Sequence, residues 1–196
     1  MTKEMPAGFH GIADFGFWEQ MSAVERRPYG VLLQAAHRYL GTLKWFGDCT
    51  GFWLGLAEPD LVGVFLYRRK PVDNIPEFHW IIAGPRWPFP VWSADGSDEK
   101  ESRNQHYSGL PAAYIWTGHP DFADPDSAQT PAAALESYTN VIQDWVDAVK
   151  VGGDLSKVFP VDIPEGKAPR EYAFDVEKLL DRIREDLLPK YAENLR

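Results

Sequence analysis

Three sets of residues in this chain have the types and spacing to do chemistry. His119-Pro-Asp121-Phe-Ala-Asp124-Pro-Asp126 strings an imidazole and carboxylates at short intervals, the oxygen-rich donor set that a hard divalent cation takes. Pro120 and Pro125 interrupt it, and it lacks the central glycine and closing glutamate of a calcium loop. A solvated loop leading into a helix is the preferred reading, with Asp124 and Asp126 placed where negative charge favours a helix amino terminus. Cys49, the single cysteine, could act as a nucleophile with His79 or His119 as its base. Against that, a free cysteine is commonly a small buried apolar residue.

The third set is the run Trp87-Pro-Phe89-Pro-Val-Trp92. Prolines lower the entropy cost of holding a loop still, and aromatic rings dominate binding hot spots, so this run reads as a rigid rim offering Trp87, Phe89 and Trp92 to a partner or apolar ligand. Packing of the same rings onto the protein's own sheet is the favoured reading of the two. His79 joins this candidate binding set. Strand alternation puts it on the face opposite Phe78 and Trp80, in solvent or facing a pocket. There is no Walker pattern, no Gly-x-Gly-x-x-Gly after a strand and no Gly-x-Ser-x-Gly elbow. A single cysteine also closes the zinc-finger and Cys-x-x-Cys readings.

These residues need elements to position them. The clearest is a helix over 130–153: Thr130 caps it, Pro131 suits its first position, and Gly152-Gly153 supply a left-handed exit. Leu135, Tyr138, Ile142, Trp145 and Val149 recur at three- and four-residue spacing and form one apolar stripe. A second helix is predicted over 29–46, and a last one over about 169–188, with Val176, Leu179, Leu180, Ile183 and Leu187 inside and Pro189 starting its end. Residues 61–67, 78–83 and 112–117 are short, rich in β-branched and aromatic residues and bounded by proline or glycine, so they read as strands. Residues 49–56 read instead as an aromatic, glycine-rich stretch beside a turn. With no crossover helix between the strands, antiparallel pairing is expected. The fold class is therefore α+β, a small antiparallel sheet of three to five strands with helices packed on one face. One domain spans 1–196, with an irregular aromatic arm over 1–20 and an inserted proline- and aromatic-rich loop over 85–109.

The formal net charge is −9. From Gly118 onward there are 9 Lys and Arg against 16 Asp and Glu, while the first 117 residues carry 11 against 13. Such an acidic half repels phosphate backbones and argues against nucleic acid as a partner, leaving solubility or a basic protein partner as its use. No stretch approaches the 18 or so continuous apolar residues of a membrane span, and the first residues carry no signal-peptide core. One cysteine suits a reducing compartment, so a cytoplasmic location is expected.

Several segments together resemble an uncharacterised family of small bacterial proteins, classed as a domain of unknown function. They are Trp80-Ile-Ile-Ala-Gly84, Gly109-Leu-Pro-Ala-Ala-Tyr114, Pro131 with Ala134-Leu135 and Tyr138, Trp145-Val-Asp-Ala-Val149, and Asp154-Leu-Ser-Lys-Val-Phe-Pro160. The resemblance covers about half the chain, roughly 77–161, and its motifs are structural. Where the family joins two strands by a short Gly-Asp-Leu-Pro turn, this chain opens the turn with residues 85–108. It implies a shared fold and carries no activity across. The function expected is a non-catalytic binding or protein-interaction module, including an immunity or accessory role. It would need no cofactor and would have a protein partner or a second copy of itself as its ligand. The alternative is a small hydrolase, metal-dependent through His119, Asp121 and Asp124 or cysteine-dependent through Cys49.

Overall fold

The structure, a computed structural model, describes residues 13–14, 22, 24, 49–58, 61–71, 77–83, 113–116 and 130–193. The helix expected over 29–46, the loop over 85–109 and most of the arm over 1–20 lie outside the described residues. What is described is an α+β arrangement. Five strands, β1 (Ala13–Asp14), β2 (Cys49–Glu58), β3 (Val62–Arg69), β4 (Phe78–Ala83) and β5 (Ala113–Trp116), form one antiparallel sheet in chain order. Helix α1 (Pro131–Val151) crosses one face of it. Helix α2 (Pro169–Arg182) runs through a π-helical turn at Ile183–Leu187 into the short α3 (Leu188–Glu193).

β3 lies in the middle of the sheet, and every residue from Val62 to Tyr67 is buried. Its alternation assigns two faces. Val62, Val64 and Leu66 point to the helices and join Trp80 and Ile82 of β4, Trp53 and Leu56 of β2, and Leu135, Tyr138, Ile142 and Trp145 of α1 in one core. Phe65 and Tyr67 point the other way, where the Phe65 ring stacks on Phe52 at 5.4 Å and Tyr67 on His79 at 5.5 Å. That second face is buried as well: Phe52, Phe65 and Ile81 are at most 1% exposed.

The expectation for residues 49–56 is corrected: they form most of a ten-residue strand. Two register irregularities hide it from the sequence, one between Cys49 and Gly51 and one between Leu54 and Leu56. The second is a bulge at Gly55 that breaks strict alternation, so Trp53 and Leu56 both face the helices although they are three residues apart. The glycines are there for space. A Cβ at Gly51 would run into the Trp53 indole, and one at Gly55 would run into the Pro131 ring at the start of α1.

α1 begins and ends as its sequence predicts. The Thr130 hydroxyl accepts the Ala133 amide at 3.1 Å, and Pro131 takes the first turn. At the other end Gly152 is left-handed (φ 69°), while the Gly153 and Gly152 amides donate to Ala148 and Val149 carbonyls, a Schellman closure. Leu135, Tyr138, Ile142 and Trp145 are buried and Val149 is half-buried against the same core. α2 lies alongside, held by the edge contact of Tyr172 with Trp145 and by the Lys150–Glu177 ion pair.

The expected stop at Pro189 is also corrected. Proline interrupts an α-helix because it has no amide hydrogen and its ring meets the carbonyl four residues back. Here the π-turn widens the helix just before it: the Leu188 amide donates to Ile183, five residues back, and the helix continues through Pro189 to Glu193.

Candidate functional site

The π-turn helps to build a concave feature of the surface. It is a cleft of about 370 Å³ between the end of β2, the turn into β3 and the junction of α2 with α3. Glu58 enters from β2 and Leu61 from the turn; Arg182, Glu185, Asp186, Leu187, Pro189 and Lys190 enter from the helical side. Leu61 and Leu187 are each 2% exposed and make an apolar floor. Arg182, Glu185, Asp186 and Lys190 are exposed at the rim, and Glu58 is half-buried. Three carboxylates and two bases thus surround a small apolar base, in the size range of ligand pockets. π-Turns of this kind recur at functional sites.

The same turn is tied down on its other side. Arg184 reaches α1, donating from Nη1 to Gln143 Oε1 at 2.7 Å and from Nη2 to the Thr139 carbonyl at 3.1 Å. Thr139 is wholly buried and its hydroxyl donates to the Glu136 carbonyl at 2.7 Å. Ile183 and Leu187 anchor the turn in the core. The start of the turn is therefore tied to α1.

The residues singled out from sequence do not meet in this cleft. Trp87, Phe89, Trp92, His119, Asp121 and Asp124 lie outside the described residues. Among the described residues no group of three or more His, Cys, Asp or Glu side chains could hold a metal ion. His79 sits on the sheet face away from the helices, as alternation requires, and is 6% exposed against the Tyr67 ring. In the sheet register it lies in a row with Phe52, Tyr67 and Trp116. Cys49 is at the start of β2 opposite Arg69, two strands away from His79.

Burial pushes the Cys49 thiol up to about 11, only partly opposed by its 3.2 Å hydrogen bond to the Gly51 carbonyl. It is protonated at neutral pH, the wrong state for a nucleophile. Thiol-disulfide reagents should therefore react with Cys49 slowly at pH 8, with a rate that climbs toward pH 11. An inflection below pH 8 in the rate profile contradicts this environment. Two tyrosines behave alike. Burial, followed by Asp162 and Asp175, raises Tyr172 to about 12, and burial with Tyr172 raises Tyr138 well above the ordinary phenol. A folded-state pKa above the unfolded one adds stability that is complete below the unfolded value and lost as pH rises through the folded one. For Cys49 and Tyr172 that window opens near 9 and 10 and closes near 11 and 12.

In comparisons with known proteins, no family model, curated protein or solved structure matches this chain. Among the described residues no helix is long and apolar enough to cross a membrane.

The cleft was hard to see in the sequence. Arg182, Arg184, Glu185 and Asp186 read as the polar side of a helix, and Glu58 as one residue ahead of the Pro59-Asp60 turn. The usable signal was Pro189 followed by Tyr191: an apolar pattern that continues past a proline points to a distorted helix and not to its end.

Proposed function

We propose that this protein is a non-catalytic binding or protein-interaction module, and that its cleft at the π-turn receives a basic, partly apolar segment of a protein partner. The observation that carries the reading is the cleft itself, with its apolar floor of Leu61 and Leu187 beneath the carboxylates of Glu58, Glu185 and Asp186. A segment pairing a cationic side chain with an apolar neighbour satisfies both parts. The acidic balance of the carboxy-terminal half supports it, because a negative surface speeds encounter with a basic partner. The proposal puts the protein in the cytoplasm, consistent with its single cysteine, and retains the kinship with the small bacterial family of unknown function.

A short peptide of alternating lysine and leucine is a direct probe. It should raise the melting temperature in proportion to its concentration, and the double variant Glu185→Lys/Asp186→Lys should remove that shift. Asp162→Lys/Glu165→Lys, which reverses two exposed carboxylates outside the cleft, should keep it. Equal losses in both variants mean diffuse charge attraction, and no shift in the parent protein means that the cleft does not bind this chemistry.

A further inference from the structure

We infer that the helix from Pro169 onward has two registers, and that Pro189 locks it in the one that forms the cleft. The Leu188 amide donates to the Ile183 carbonyl, five residues back, in place of Arg184, four back. One extra residue is accommodated in that turn. In an uninterrupted α-helix successive residues are turned by about 100°, so absorbing the extra residue rotates everything after the turn by about that angle.

Glu185, Asp186 and Leu187 belong to the turn, and Pro189 and Lys190 follow it, so the helical wall of the cleft depends on which register is adopted. In the α-register residue 189 must offer an amide to the Glu185 carbonyl and leave room for it. Proline can do neither. The turn is also clamped at its start, by Arg184 on Thr139 and Gln143, so the extra residue has no outlet toward α2. Pro189 thus acts as a lock on the cleft's shape from an exposed position.

The inference borrows from the binding proposal only the purpose of the cleft. Its test reads the backbone, so either can fail without the other. In Pro189→Ala, hydrogen-bond scalar couplings measured by NMR should show the Leu188 amide paired with Arg184, and a new pairing of the residue 189 amide with Glu185. In the parent protein the Leu188 coupling runs to Ile183. The variant should melt somewhat lower than the parent, because the rotation takes Leu188 and Tyr191 off the core they pack against. A Leu188 coupling that stays on Ile183 in the variant overturns the inference. So does a variant that fails to fold, since that means the helix has no second register to adopt.

Discussion

Replacing Trp145 with alanine should lower the unfolding free energy by about 3–5 kcal/mol, the range for removing a large aromatic side chain from a packed core. Trp145 is 2% exposed, in the core shared by α1, the sheet and α2. Its ring faces the sheet residues of the common core, and its edge meets Tyr172 of α2 at 5.9 Å between centroids and 65° between planes. Losing it opens a void that the sheet on one side and α2 on the other cannot both close. Because a domain of this kind is stable by only about 5–15 kcal/mol, the variant should be near the edge of folding at physiological temperature. Urea titration followed by circular dichroism measures it. Phe174→Ala is the control: that ring is 55% exposed with Lys178 over it, and its loss should fall within about 0.5 kcal/mol. A loss below about 1 kcal/mol for Trp145→Ala means that α1 is not packed on the sheet as described.

The second large effect is expected at Gly55. A Cβ there would lie 2.5 Å from Cγ and 2.7 Å from Cβ of Pro131, and 3.3 Å from the Val64 carbonyl oxygen. Gly55→Val therefore has to push the first turn of α1 off the β2 bulge, and overpacking of this kind costs about 1–3 kcal/mol. The cost arises from space, because Gly55 is not left-handed and any residue could adopt its backbone. A double-mutant cycle separates the two explanations. If Pro131 is the obstacle, Pro131→Gly should recover part of the loss in the Gly55→Val background, with a coupling of about 0.5–3 kcal/mol. Additive losses mean that α1 does not rest on the bulge.

Both predictions concern the joint between helix and sheet, and that joint was half visible in the sequence. α1 was legible from end to end because each signal is local: a threonine cap, a proline in the first turn, a stripe at helical spacing, a glycine pair at the exit. β4 was legible because its aromatic and β-branched residues run unbroken between Pro76 and Gly84. β2 was not, because Gly51 and Gly55 interrupt its alternation at the two places where the register slips. What those glycines accommodate, the Trp53 ring and Pro131, is a tertiary fact that no window of neighbouring residues contains.

The same reasoning explains the candidate site. A histidine, a cysteine and a run of tryptophans attract notice by residue type, yet His79 is stacked inside one sheet face and Cys49 is held as a thiol. The cleft is made of ordinary surface residues, Glu58, Arg182, Glu185 and Asp186, brought around Leu61 and Leu187 by a strand end and a helical irregularity. Composition marks the acidic half of the chain; only the fold shows where its charges border apolar surface.

The central claim, that a partner docks at the π-turn, is tested most directly in living cells. The photoreactive residue p-benzoylphenylalanine is placed at position 186 on the cleft rim and, in a second strain, at the exposed position 140 on α1. Irradiation followed by mass spectrometry then identifies what each position touches. The account predicts a discrete adduct from position 186, formed with a basic, partly apolar segment of one protein, and absent from position 140. No adduct at 186, or the same set of adducts from both positions, contradicts it.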